Sequence, residues 1–335
     1  MNTSTVQKSK TGVLRAISRA CAVACLAAAP AFASAETLRM ASPYPETNFH
    51  TANIHYFIDA LEQDSDGRLN VKLFANSSIF KAPEILPAVG GKLVDLGEIF
   101  LAAYANEDPL FGADAVSYLI SGYDGAERLD AATRSVLEDH LAAKGVKLLY
   151  TVPWPPAGLY TTREINAVAD LNGMKIRSAS PITKEWTDKF GMQSVVIQVP
   201  ELAQAFATGV VDSMFTASAL APSIQAWEFT KYFYDIQAVL TRNAVVMNLE
   251  EFNALSPEDK TAVLDAAAKA QEAGWAASRQ ADLANKKLME EHGMQIVTPS
   301  PELEQAMRAA AREVIANWMI TLPDDEKAVL VEFAQ

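Results

Sequence analysis

The stretch that carries most information about this chain is DLNGMKIR, residues 170–177. Its first four residues have the composition of a turn, and the last four have that of a short strand. Arg177 therefore stands at a strand end, just before the polar run of residues 178–181. Ligands of open α/β sheets collect at such ends, and a guanidinium is a permanently charged planar fork that matches a carboxylate. Two roles stay open for Arg177: binding such a ligand, or pairing with one of the chain's 41 acidic residues.

The sequence before this stretch alternates between strand and helix patterns. Period-2 or apolar runs predict strands at residues 38–42, 69–74, 93–97 and 146–152. Apolar residues at helical spacing predict helices at residues 49–63, 83–89 and 124–143. Such alternation predicts an α/β fold with a largely parallel sheet.

The sequence after the stretch repeats this theme and then becomes helical. Strands are predicted at 194–199 and 210–215, helices at 183–190 and 200–208, and mostly extended chain over 232–248. Ser256 and Pro257 form a strong helix start, and we predict helices over 256–292 and 300–319. This order indicates two α/β lobes around a cleft. Residues 36–152 mainly form the first lobe, residues 153–248 mainly form the second, and residues 249–335 form helices that pack across both. The boundaries between the lobes are not sequential along the chain.

The first 35 residues have the order of a secretory signal peptide. They contain four basic residues and no acid, then the apolar run 20–29, then Ala33-Ser34-Ala35. We predict cleavage near Ala35 and a periplasmic product, with an ordinary N-terminal helix as the alternative. Cleavage would remove both cysteines and leave 24 basic residues (28 less four) against 41 acids, a net charge of −17.

Composition narrows the class of protein further. Half of the 335 residues are apolar, which excludes a disordered chain. The acidic excess argues against nucleic acid as a partner, because a phosphate backbone calls for clustered Lys and Arg. The chain is therefore globular, with room for roughly two domains of about 150 residues each.

Sequence patterns for catalysis and for cofactor binding are missing. The four histidines, His50, His55, His140 and His292, form no HExxH motif, and the first two are five residues apart. The sequence has no G-x-S-x-G, no P-loop and no G-x-G-x-x-G. We therefore predict a binding protein with no catalytic residue, no metal site and no cofactor, and structural or solvent-facing roles for the histidines. A periplasmic enzyme is the less favoured alternative.

The stretch DLNGMKIR resembles the D-L-x-G-x-K-x-R signature of substrate-binding proteins of TRAP transporters (tripartite ATP-independent periplasmic, the DctP-like family). Segments similar to that family follow in the same order along the chain, at residues 65–69, 83–95, 201–212 and 255–259. The resemblance implies two α/β lobes that close over a ligand, joined by strands and a long helix. It also implies delivery of the ligand to a membrane permease driven by an ion gradient, and it places Arg177 on the family's carboxylate-binding arginine.

The rest of the site is predicted from strand ends and from departures from the family pattern. Many members have a second arginine near the position of Ala157, whereas this stretch is apolar and aromatic, and Phe100 stands where a polar contact often lies. These departures favour an apolar or aromatic monocarboxylate. The predicted ligand-binding residues are Arg177, Trp154, Phe215, Thr216, Phe100, Asn243, Tyr44, Glu201 and Tyr160.

Other roles stay open for several of these residues. The aromatic side chains could be core residues instead, and Glu201 could orient Arg177 or cap its helix. An ABC-type solute receptor and the ligand-binding protein of a sensor are the competing functions of the same general kind.

Overall fold

The computed structural model describes residues 1–3, 36–178, 181–197 and 201–334. Apart from residues 1–3, the predicted signal peptide lies outside these ranges, as do residues 198–199 of the predicted strand 194–199 and residue 200 of the helix predicted after it. Residues 36–335 form one compact unit. None of the helices in the described ranges combines the length and the apolar character that a membrane crossing requires.

The described strands form two mixed sheets. The strands are β1 (Glu36–Ala41), β2 (Leu69–Phe74), β3 (Leu96–Phe100), β4 (Val146–Pro153), β5 (Ala157–Thr161), β6 (Lys175–Ser178), β7 (Gln193–Val196), β8 (Ser213–Ala217), β9 (Tyr232–Tyr234), β10 (Arg242–Asn248) and β11 (Gln295–Val297). The first sheet has the order β2-β1-β3-β10-β4 and the second the order β11-β9-β5-β8-β6-β7.

Among the described strands, each sheet contains one antiparallel strand, which is the first strand after the chain first crosses into that sheet from the other sheet. In the first sheet β1, β2 and β3 are parallel, and β10 is antiparallel to both β3 and β4. In the second, β6, β7 and β8 are parallel, and β5 is antiparallel to β8 and β9. Each sheet is therefore largely parallel, as predicted, with a single strand, β10 in the first and β5 in the second, that runs against its neighbours.

Helices cover the sheets and fill the connections. The described α-helices are α1 (Phe49–Asp64), α2 (Ala82–Gly90), α3 (Gly122–Ala143), α4 (Pro181–Asp188), α5 (Leu202–Ala207), α6 (Leu220–Ile224), α7 (Leu249–Ala254), α8 (Pro257–Glu291), α9 (Pro301–Thr321) and α10 (Asp324–Leu330). Short 3₁₀ segments lie at Leu101–Tyr104, Pro109–Ala115, Val168–Leu171 and Ala226–Glu228.

Helix α8 begins where its sequence predicts and packs on both lobes. The Asp259 N–H donates to the Ser256 hydroxyl at 3.1 Å, which caps the helix. Ala262 to Ala270 of α8 pack in the core beside the first sheet, whereas Met289 packs in a core of the second sheet. Between them the Trp275 indole N–H donates to the Thr151 carbonyl at 3.1 Å. The helix therefore ties the two lobes together.

Two further segments cross between the lobes and are hydrogen-bonded to each other. Residues 154–156 lead from β4 to β5, and residues 235–241 lead from β9 to β10. The Trp154 N–H donates to Thr241 O at 2.7 Å, and the Ala157 N–H donates to Val239 O at 2.9 Å. The chain thus passes between the lobes through an antiparallel pair.

Several predicted strands are shorter in the structure than in the sequence pattern. The strand predicted from residue 93 begins at Leu96, because Lys92 adopts a positive φ of 59° in the turn before it. The strand predicted from residue 210 begins at Ser213, after the turn at Gly209, where φ is 69°. The extended run 232–248 is interrupted by the crossing segment 235–241.

Candidate ligand-binding site

Arg177 lies on the face of β6 opposite its neighbour Ile176, which packs in a hydrophobic core. Its side chain is 6 % exposed, and Nε donates to the Ile197 carbonyl at 2.9 Å. Burial lowers the pKa of Arg177 to about 10, so the guanidinium stays protonated at neutral pH. None of the ion pairs among the described residues includes Arg177, and the alternative in which it pairs with an acid of the chain is not observed there.

Thr216 and Tyr160 lie on the same face of the second sheet as Arg177. Arg177 pairs with Met214 in the parallel register of β6 and β8, and Thr216 follows Met214 by two residues. Thr216 is half-buried, so it can contact a molecule bound at the ends of these strands. Tyr160 is fully buried against Phe233, at 4.7 Å between ring centroids, which favours a packing role.

Phe215 lies on the sheet face opposite to Arg177, and Glu201 forms no ion pair with Arg177 among the described residues. Phe215 points to the opposite face of β8, is 2 % exposed and packs against Trp186 at 5.5 Å between ring centroids. Glu201 is exposed at the start of α5, where its side chain makes no capping hydrogen bond. These positions favour a core role for Phe215 and a surface role for Glu201.

Asn243 links the predicted site residues of the first lobe. It is 1 % exposed, at the start of β10. Its amide oxygen accepts from the Trp154 indole N–H at 2.9 Å and from the Tyr44 hydroxyl at 3.3 Å. Its amide nitrogen donates to Glu98 at 2.7 Å, and Phe100 lies opposite Asn243 in the register of β3 and β10. Four residues predicted separately from sequence therefore meet at one strand end.

Glu98 and His50 belong to this cluster and were not among the predicted site residues. Both are 1 % exposed; Glu98 accepts from the Ser42 hydroxyl at 2.7 Å, and the His50 Nδ1 lies 3.4 Å from its other oxygen. Burial raises the pKa of Glu98 to about 7 and lowers the pKa of His50 to about 3. An acid inside the apolar strand LGEIF was the one sequence signal that could have indicated Glu98.

Aromatic rings form a wall beside this polar cluster. The Trp154 ring lies 4.3 Å from the His50 ring, 5.2 Å from the Tyr44 ring and 5.5 Å from the Phe49 ring, measured between centroids. Trp154 and Tyr44 are half-buried, so part of the wall is open to a bound molecule. The polar atoms of the cluster mostly bond one another, which leaves a largely apolar contact surface.

Both groups of residues lie at the sheet ends next to the crossing segments. In the second sheet, β5 begins at Ala157 directly after the crossing, and its antiparallel partner β8 ends there. In the first sheet, β4 ends and β10 begins at the crossing, so β3 ends there as well. The positions define a candidate site at the junction of the lobes, with a cation from one lobe and an aromatic wall from the other.

Comparisons with known proteins agree with this architecture. A family model described as DctP, bacterial extracellular solute-binding protein, family 7, matches residues 40–321. The crystal structure of DctP6, a Bordetella pertussis extracytoplasmic solute receptor binding pyroglutamic acid, is 35 % identical with a TM-score of 0.84, over 89 % of this chain and 99 % of that one.

Two further relatives support the same family. A TRAP solute-binding protein from a marine metagenome, solved with co-purified pyroglutamate, is 29 % identical with a TM-score of 0.83, over 90 % of this chain and 99 % of that one. The 2,3-diketo-L-gulonate-binding periplasmic protein YiaO of Escherichia coli is 26 % identical, over 85 % of this chain and 88 % of its own length.

The fold and the site define a two-lobe solute receptor. This chain belongs to the DctP family of bacterial extracellular solute-binding proteins, whose structural relatives are receptors of TRAP transporters. The two-lobe α/β fold predicted from sequence is confirmed. The family is one of solute receptors and not of enzymes.

Proposed function

We propose that this protein is the periplasmic solute-binding subunit of a TRAP transporter, which captures a small monocarboxylate through Arg177 and delivers it to the membrane permease. The observation that carries the proposal is the buried guanidinium of Arg177, which has no carboxylate partner among the described residues and lies at the junction of the lobes. Periplasmic location and cleavage near Ala35 are part of the same proposal, supported by the order of residues 1–35.

A buried cation that has no carboxylate partner among the described residues favours an anionic ligand. A charge taken out of water is costly unless it is paired and hydrogen-bonded. Among the described residues, the Arg177 side chain has one hydrogen bond, from Nε to the Ile197 carbonyl. The two terminal nitrogens of a guanidinium can bind both oxygens of a carboxylate. Because the chain is strongly acidic overall, long-range attraction does not favour an anion, so this local contact supplies the affinity.

The aromatic wall indicates the shape of the rest of the ligand. A sugar acid carries many hydroxyl groups that need polar partners, whereas the amide of Asn243 and the indole N–H of Trp154 are already bonded to each other. A compact ring with few polar atoms suits such a surface better. Pyroglutamate, the ligand of two of the relatives described above, is a monocarboxylate of this kind. We therefore favour pyroglutamate and similar cyclic or aromatic monocarboxylates.

Isothermal titration calorimetry of the purified protein tests this proposal. The ligands are L-pyroglutamate, L-proline, benzoate and D-glucuronate, which vary the ring while keeping a carboxylate. We expect pyroglutamate to bind most tightly and Arg177→Met to weaken binding by about 100-fold, since charged hydrogen bonds contribute about 1.5–3 kcal/mol. Arg163→Met is the matched control, because Arg163 is an exposed arginine of the same lobe.

Each result has a distinct meaning. Unchanged affinity in Arg177→Met would contradict the assignment of the anchor. Preference for D-glucuronate would keep the receptor function and contradict the apolar site. Absence of binding by every carboxylate would contradict the proposed ligand class.

A further inference from the structure

Three side chains from separate elements meet at the base of the C-terminal helix. Asp108 precedes a 3₁₀ segment, His140 is in the last turn of α3, and Glu326 is in the first turn of α10. One potential ligand atom from each of the three side chains lies within 4.8 Å of the other two. Glu326 lies beyond residues 40–321, the part of the chain that the family model matches.

The hydrogen bonds place two electron-pair donors face to face. His140 Nδ1 lies 2.5 Å from an Asp108 oxygen, so in the neutral ring the proton is on Nδ1. Nε2 is then a lone pair, and it lies 3.7 Å from Oε1 of Glu326. The Glu326 side chain is 2 % exposed, and its Oε2 is buried without a hydrogen-bond partner. A cation is needed between these groups to make the arrangement favourable.

The distance between them distinguishes two kinds of cation. A proton shared between nitrogen and oxygen draws the two atoms to about 2.7–3.2 Å. Two ligands of a zinc-like ion, each bonded at about 2.0–2.2 Å, can be up to about 4 Å apart. The observed 3.7 Å falls in the second range.

We propose that Glu326 and Nε2 of His140 bind a divalent transition-metal ion of the zinc class. Imidazole nitrogen together with carboxylate oxygen is a donor set that zinc accepts and that Mg²⁺ and Ca²⁺ do not favour. Asp108 holds the ring through Nδ1, the arrangement of a carboxylate behind a metal-bound histidine. The His140 side chain is 27 % exposed, which leaves a path for the ion and for water to complete its coordination.

The ion would join helix α10 to helix α3, which carries His140. Helix α10 contributes Leu330, fully buried, to the same cluster as Leu129 of α3. A metal ion that binds only the folded arrangement stabilises it according to its concentration. We therefore expect the ion to stabilise the fold, at a site that shares no residue with the candidate ligand-binding site.

Thermal unfolding of the chelator-treated, tag-free protein tests the site. We expect Zn²⁺ at about 100 times its dissociation constant to raise the melting temperature by about 4 °C, and Mg²⁺ to leave it unchanged. Glu326→Gln and His140→Gln should abolish the Zn²⁺ effect. The control is His55→Gln, which removes the histidine of another His–Glu pair, His55 and Glu46, 2.8 Å apart on the surface. This variant should keep the Zn²⁺ effect, because His55 is not part of the proposed site.

Absorption of bound Co²⁺ is a second readout, which reports metal binding directly and does not depend on a change in melting temperature. Bound Co²⁺ gives visible d–d absorption, and Asp108→Asn should weaken its binding by about 10–100-fold. Two results would overturn the proposal: a wild-type protein with no Zn²⁺-dependent shift, or a shift of equal size in Glu326→Gln. In either case the three groups would form a proton-bridged contact or a surface cluster instead of a metal site.

Discussion

Glu98 and His50 predict an unusual dependence of stability on pH. Burial raises the pKa of Glu98 from 4.5 to about 7, so its contribution to stability is present below pH 4.5 and is lost as pH rises to 7. Burial lowers the pKa of His50 from 6.5 to about 3, so its contribution is present above pH 6.5 and is lost as pH falls to 3. The two dependences have opposite sign between pH 4.5 and 6.5.

Single substitutions should separate these two dependences. Each pKa unit corresponds to about 1.4 kcal/mol, so the opposing slopes cancel in the wild type over that window. Glu98→Gln removes the falling slope, and its stability relative to wild type should rise by about 2.7 kcal/mol from pH 4.5 to 6.5. His50→Asn removes the rising slope, and its relative stability should fall by a similar amount. Both replacements keep a polar group near its original position.

Urea unfolding followed by tryptophan fluorescence measures these differences. Free energies of unfolding are compared at pH 4.5, 5.5 and 6.5 for the wild type and both variants, so that contributions from all other groups cancel. A difference between Glu98→Gln and the wild type that stays constant within about 0.5 kcal/mol would refute the reasoning, because it would mean that Glu98 titrates alike in the folded and unfolded chains.

Two further substitutions act at the junction of the lobes. Arg242→Met leaves the buried carboxylates of Asp114 and Asp130 without their cation. It should lower the free energy of unfolding by about 3–5 kcal/mol, which lowers the melting temperature by roughly 5–8 °C in a calorimetric scan. A loss below about 1 kcal/mol would contradict this. Trp154→Phe removes the indole donor to Asn243 and should weaken ligand binding by about 5–30-fold in calorimetry, whereas equal affinity would show that the ring alone matters.

The long helices could be predicted because each carries its own signals. The helix predicted over 49–63 is observed at Phe49–Asp64, and the one predicted over 256–292 is observed at Pro257–Glu291. Apolar spacing and capping residues are local properties, so neighbouring chain does not override them over such lengths. Strand β5 escaped prediction because all five of its residues are buried and no alternation marks it.

The site could be predicted only in part, because its contacts join distant parts of the chain. Arg177 stands out by its place after a turn and strand, and the structure puts it at a strand end as expected. The bond between Asn243 and Glu98 spans 145 residues, and no spacing rule indicates it. Phe215 and Thr216 are adjacent in sequence, yet the alternation of β8 puts them on opposite faces, which depends on the register of the sheet.

The position of β10 in the first sheet has a consequence for the order of folding. This strand lies between β3 and β4, yet it is the tenth of the described strands along the chain. The first sheet therefore cannot be completed until residue 248 has been synthesised. The pairing of β3 with β10 brings together residues more than 140 positions apart, which is a slow step in folding. Chains that stop before residue 242 are expected to keep the facing edges of β3 and β4 unpaired and prone to association.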